Sequence, residues 1–310
     1  MKTIGLLLLA LSCQSFAQTF EVVSHKGLHI PFAKVPGSSA CVASYIDDPA
    51  KYAFGMNLEN TAAAVAGAFA DKATMVSINI RVSADGIPVL FHDATLDCRT
   101  NLSGPVNTMS LAGLQMGNIG WNYTADGGKT FPWRDAQVPR ALTTMPTLDE
   151  ILKANPGQAF FLVVRAANKE EGEAIFNVLA NYPASVARSV LFADDPATTA
   201  LASEMLPALS TIRFDSWDQS ICLNGFSPSA PLPGACANLD VILSLQEAMK
   251  LDANLDVLSS GLAAMNSKLY VGGENSGLVD DAAGAAFIKA HQSSLKGLMT
   301  DRIDIIGPMF

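Results

Sequence analysis

The chain has 310 residues, of which 49% are hydrophobic and 16% charged. That is enough apolar material for a large core and is not the composition of a disordered chain. The formal net charge of −9 excludes a surface built for nonspecific nucleic-acid binding, which needs clustered Lys and Arg, but is compatible with a small anion held in a local basic pocket.

The start reads as a targeting segment. Lys2 gives a positive start, Ile4 to Leu11 form a short apolar run, and Ser15-Phe16-Ala17 is a small-x-small cleavage site before Gln18. Residues 1–17 are therefore expected to be a signal peptide cut after Ala17, leaving 18–310 as one exported, periplasmic or secreted, domain. A lipoprotein signal using Cys13 is the second reading, ranked lower because Ala10 stands where such signals usually carry Leu. No later segment is long and apolar enough to be transmembrane. Four cysteines follow: Cys41, Cys98, Cys222 and Cys236. An even count in an exported chain predicts two disulfides. Of the three pairings, Cys41–Cys98 with Cys222–Cys236 is favoured, because the second pair closes a short loop rich in Pro and Gly.

Short β-rich runs then alternate with helical stretches. Strands are expected at residues 20–24, 75–82, 87–91, 159–165, 189–192, 208–212, 241–245, 269–271 and 297–299. Helices are expected at 61–70 and 169–180, and Thr147-Leu-Asp-Glu150 is a capping box that starts another. This alternation predicts a parallel α/β sheet, closed or open. Residues 101–140, rich in Gly, Thr, Asn and aromatics, have no clear period and read as a long excursion over the sheet's mouth. Trp121, Tyr123, Phe131 and Trp133 within it fit a satellite core better than the wall of a headgroup cleft.

Two of the four histidines follow candidate strands: His25 after Phe20–Ser24 and His92 after Pro88–Phe91. Two imidazoles at strand ends can act as general acid and general base on a phosphodiester. The bland alternative is that each caps a strand. His29 and His291 read as loop or surface residues.

These positions carry a resemblance. His25-Lys26-Gly27, Glu59-Asn60-Thr61 and Asp85-Gly-Ile-Pro-Val-Leu-Phe-His92-Asp93 resemble the opening of the glycerophosphodiester phosphodiesterase family. Leu96–Thr100, Tyr123–Phe131 and Met145–Glu150 resemble a secreted bacterial branch of it, and Gly297-Leu-Met-Thr-Asp301 resembles its closing strand. The resemblance implies an eight-stranded (β/α)8 barrel and phosphodiester hydrolysis on His25 and His92. It also implies a phosphate contact at Lys26, where the family has Arg. The family's divalent cation, Ca²⁺ or Mg²⁺, is held by three acidic residues. Counting back from His92 puts two of them at Ser77 and Asn79, and the third falls at Val163. None is acidic here, so no metal cofactor is expected; Ca²⁺ or Mg²⁺ returns only if this placement is wrong. Residues 77, 79 and 81 share a strand face. If 77 and 79 face the barrel mouth, Lys26, Arg81 and Arg165 can form a cationic phosphate pocket without metal, similar to the arginine that stands for the metal in bacterial phosphatidylinositol-specific phospholipase C; the alternative is that Arg81 lies beyond the barrel and pairs with a surface acid. The expected ligand is a small phosphodiester or lipid headgroup. A pseudoenzyme that binds a phosphorylated ligand or a partner protein is the alternative, and a purely structural role is a third. The sequence does not indicate an oligomeric state.

Overall fold

The computed structural model describes residues 20–27, 32–34, 43–45, 58–124, 129–135, 137–213, 216–272 and 279–310. The leader with Cys13 and Ala17, and the residues Cys41 and His29, lie outside these. Among the described residues, no helix is long and apolar enough to cross a membrane.

Eight parallel strands follow one another around a curled, barrel-like sheet. They are β1 (Glu21–Ser24), β2 (Met75–Val82), β3 (Phe160–Val164), β4 (Val190–Ala193), β5 (Ser210–Thr211), β6 (Val241–Leu243), β7 (Leu269–Val271) and β8 (Gly297–Thr300). The ladder order is β6-β7-β8-β1-β2-β3-β4-β5, which is chain order taken around a circle. At the β5–β6 seam, Asp240 N–H donates to the Arg213 carbonyl at 2.9 Å. Helices occupy the crossovers: α1 (Ala62–Ala70) after β1, α2 (Leu148–Ala154) before β3, α3 (Lys169–Leu179) after β3, α4 (Pro196–Met205) after β4, α5 (Ser216–Asn224) after β5, α6 (Leu245–Leu251) and α7 (Leu255–Ala264) after β6, and α8 (Ala282–Ala290) after β7.

The expected elements form with small shifts, and three differences have local causes. Pro88–Leu90 is a strand but runs antiparallel to β2. It is a hairpin arm outside the parallel series, because Gly86 at φ +77° allows the tight reversal that only glycine adopts freely. The expected strand at 241–245 stops at Leu243, because Ser244 and Glu247 form a capping box that starts α6. The excursion is not without structure. It holds a helix at Leu111–Met116 and a strand, Tyr123–Thr124, paired with Ala43–Tyr45. The expected box at Thr147 and Glu150 does start α2.

Alternation along the strands divides the core. Val76, Ile78, Ile80, Phe160, Leu162 and Val164 point outward into the layer between sheet and helices. Val23, Met75, Phe161, Val190 and Tyr270 point inward and fill the barrel. This two-sided burial explains the nearly continuous apolar run of β2. Leu58, Phe91, Leu114, Tyr123, Trp133 and Met145 form a separate core under the excursion, as expected for Tyr123 and Trp133. Phe131 and Trp121 instead flank Arg134, at 3.7 and 4.8 Å from its guanidinium carbon. The Cys222–Cys236 disulfide is present and closes a sequence separation of 14, a loop size worth about 3 kcal/mol by the chain-entropy account. Cys98 is also disulfide-bonded.

Candidate active site

In barrels of this kind the strand C-termini carry the chemistry, and His25 directly follows the end of β1. The β1–β8 ladder ends at Ser24 opposite Thr300, and the His25 N–H donates to the Thr300 carbonyl at 2.9 Å. The next residues, His25 and Asp301, therefore emerge side by side, and His25 Nδ1 meets Asp301 Oδ1 at 2.8 Å. Asp301 is itself held, since its N–H donates to Asp280 Oδ1 at 2.8 Å. The chain then turns sharply through Lys26 at φ +59° and Gly27 at φ +87°. A Cβ on Gly27 would lie 2.9 Å from Ala64 in α1, so this glycine lets the helix pack directly beneath the turn.

His92 arrives from the hairpin arm. Phe91 N–H donates to the Asn79 carbonyl at 3.0 Å, and Arg81 donates through Nε and Nη2 to the His92 carbonyl at 3.2 and 3.0 Å. His92 Nδ1 meets Asp93 Oδ1 at 2.6 Å. Both histidines thus carry a carboxylate on Nδ1. In the neutral ring this makes Nδ1 the donor and leaves proton exchange to Nε2, and the carboxylate stabilises the imidazolium when it forms.

Arg99 ties the two loops together. It lies 3.1 Å from Glu59 Oε1 and 2.8 Å from Asp93 Oδ2, and it also bonds the Tyr123 hydroxyl. Burial pushes the Asp93 carboxyl up, but the hydrogen bond with His92 and the charge of Arg99 outweigh it, and the group titrates well below the usual carboxylate range. Its ionised form is thus favoured in the folded state. A depressed carboxylate adds stability that is fully present above its unfolded pKa, about 3.9, and is lost as the pH falls through the folded value. The stability gap between wild type and Asp93→Asn, measured by urea unfolding, is expected to shrink from about pH 4 downward. A gap independent of pH would contradict this.

The inward face of β2 places Ser77, Asn79 and Arg81 in line above Met75, and Val163 is the ladder partner of Asn79. Ser77 and Asn79 are each 2% exposed. Asn79 N–H donates to Asn60 Oδ1 at 2.9 Å. A hard divalent cation needs several oxygens, usually with carboxylate charge. Ser77 and Asn79 offer neutral oxygens only, and Val163 offers none. The neighbouring carboxylates Glu59 and Asp93 are engaged by Arg99. Among the described residues, no group of three His, Cys, Asp or Glu is placed to hold a metal. The residues at these three positions do not fit Ca²⁺ or Mg²⁺.

The three expected cations divide into two settings. Lys26 Nζ lies 3.9 Å from Glu59 Oε2, in the Arg99 cluster. Arg81 and Arg165 are neighbours on β2 and the end of β3; Arg165 N–H donates to the Ile80 carbonyl at 3.0 Å. Burial and the charge of Arg165 lower the Arg81 pKa. Arg165 also pairs with Asp194 at 2.8 Å. His291 is outside this site: it caps α8 and pairs with Asp252 at 2.8 Å.

Sequence reasoning gave Asp301 and Arg99 no role. Asp301 had a signal: it directly follows the last strand as His25 directly follows the first, and those two strands are adjacent in any closed barrel. Arg99 had none, because its partners Glu59 and Tyr123 are distant in the chain.

Known proteins share this fold. The chain is 28% identical over 217 residues to the uncharacterized protein Rv2277c of Mycobacterium tuberculosis, covering 68% of each chain. Its fold is similar to the crystal structure of the glycerophosphoryl diester phosphodiesterase domain of that protein, with TM-score 0.59 and 22% identity, covering 94% of this chain and 98% of that one. It is also similar to a glycerophosphodiester phosphodiesterase from Agrobacterium tumefaciens, with TM-score 0.60 and 18% identity, covering 94% and 100%. A third similar structure is an Oleispira antarctica phosphodiesterase in complex with the product sn-glycerol-3-phosphate, with TM-score 0.57 and 16% identity, covering 93% and 96%. Residues 48–175, which carry the Glu59, His92 and Arg99 segments, match the model of the glycerophosphoryl diester phosphodiesterase family.

Proposed function

We propose that this protein is an exported phosphodiesterase that hydrolyses small glycerophosphodiesters or related lipid headgroups by acid–base chemistry on His25 and His92, without a divalent metal. The observation that carries the reading is the pair of dyads, His25–Asp301 and His92–Asp93, at 2.8 and 2.6 Å, both at the C-terminal mouth of the barrel. One imidazole takes a proton from the attacking water. As the phosphorus–oxygen bond to the leaving alcohol breaks, the other, as imidazolium, returns a proton to that oxygen. The carboxylates on Nδ1 orient both rings for this exchange. Arg81 and Arg165 are assigned to the phosphate, supplying positive charge at positions next to those where a metal would otherwise do so. Export is supported by the apolar leader with its site after Ala17 and by the disulfide bonding of Cys98, Cys222 and Cys236.

The test is hydrolysis of glycerophosphocholine and of an aryl phosphodiester by the mature chain with Ca²⁺, with Mg²⁺ and with EDTA. Turnover is expected in all three, with EDTA changing the rate less than about twofold, far below the loss that removal of a catalytic metal produces. Turnover abolished by EDTA would sink the metal-free mechanism. Phosphate-ester binding with no turnover in any condition would leave a barrel that binds its ligand without cleaving it.

A further inference from the structure

The geometry points to a site for a doubly charged phosphate between Arg81 and Arg165, so that a phosphomonoester binds this barrel more tightly than a phosphodiester of the same size. The inference rests on the phosphodiesterase reading of the same mouth and names the ligand state that its cations prefer.

The β2–β3 register pairs Ile80 with Val164. The next residue on each strand is an arginine, and both fall on the inward-facing series that begins at Met75 and Phe161. Like charges on neighbouring strands repel, so the surroundings decide what this arrangement is for. Arg81 directs two nitrogens at one neutral acceptor, the His92 carbonyl. The Arg165 ion pair is with Asp194, whose side chain is 61% exposed, where solvent screens the attraction. Arg165 Nε is buried and has no hydrogen-bond partner, which is costly for a guanidinium N–H. Two further carboxylates act on Arg81 from a distance, and both are occupied. Asp93 is bonded to His92 and Arg99. Glu171 accepts from the Ala167 N–H and from Asn107 Nδ2. Two half-buried cations thus share one exposed counter-ion and retain an unused donor at Arg165.

An anion lying between them would relieve the repulsion and accept from Arg165 Nε. A phosphomonoester carries about −1.5 to −2 charge near pH 7 and offers three terminal oxygens. A diester carries one charge and offers two. A guanidinium fork uses two oxygens, so a pair of forks is better matched by the monoester in both charge and acceptor count. The consequence for turnover is retention of the phosphomonoester product.

Calorimetric titration of the mature chain with methyl phosphate and with dimethyl phosphate, at about pH 7.5 where the monoester is mainly dianionic, tests this. Methyl phosphate is expected to bind about tenfold or more tightly than dimethyl phosphate, as charge-assisted pairing with a second guanidinium implies. His25→Ala is expected to keep the preference. Arg165→Gln is expected to remove most of it, and Arg81→Lys, which keeps the charge but not the fork, to reduce it. Circular dichroism melting confirms that each variant is folded. Equal affinity for the two probes, or an undiminished preference in folded Arg165→Gln, would overturn the proposal. If the preference is found and glycerophosphocholine is not hydrolysed, the phosphodiesterase reading fails and the dianion site stands. If glycerophosphocholine is hydrolysed without the preference, the phosphodiesterase reading stands and the dianion site fails.

Discussion

Replacing either histidine by alanine is expected to lower kcat on glycerophosphocholine by about 10²- to 10⁴-fold, the usual contribution of one positioned general acid or base. His25→Ala and His92→Ala are expected to be similar in size, because each removes one of two proton transfers in a single displacement. The double variant should cost much less than the product of the two, since residues acting as a unit are not additive. Asp301→Asn probes the same step more gently. The amide retains the contact to His25 Nδ1, at 2.8 Å in the wild type, but cannot stabilise an imidazolium as a carboxylate does. It should lower kcat with little change in KM. His25 and Asp301 are buried partners, so stability is expected to fall as well, and kcat is compared in variants that remain folded. Folded single variants with wild-type kcat would remove the histidines from the mechanism.

Arg99→Met is expected to destabilise the chain by about 3–5 kcal/mol, the cost of stripping the partner from a buried ion pair. Arg99 keeps 18% of its side-chain exposure and faces Glu59 and Asp93, whose side chains keep 10% and 22%. Without it, Glu59 retains Lys26 at 3.9 Å and Asp93 retains His92. Neither replaces a guanidinium that serves both carboxylates at once. Arg99→Lys keeps the charge but loses the planar fork and should fall between wild type and Arg99→Met. Urea denaturation of the three proteins measures this. A loss below about 1 kcal/mol for Arg99→Met would mean that the cluster is solvated like a surface pair. Because Arg99 also holds the carboxylate behind His92, kcat should fall in Arg99→Lys even where the protein remains folded.

The chain by itself determined the class of fold. The apolar runs of β2 and β3, the Thr147 capping box and the alternation of strand with helix follow from local propensity and periodicity, which act over a few residues. It also placed Ser77, Asn79 and Arg81 on one face, because strand alternation is a property of the backbone, and it brought both histidines to strand ends. Local signals did not separate Pro88–Leu90 from the parallel series, because a short apolar run does not encode the direction of its partner. Only the tertiary structure decided which carboxylate backs which histidine. Asp301 reaches His25 because the first and last strands close the barrel in register, a contact across 276 positions. Likewise, three expected cations became an Arg81–Arg165 pair and a separate Lys26–Glu59–Arg99 cluster. Long side chains choose partners by distance and desolvation, and neither exists until the loops are folded against one another.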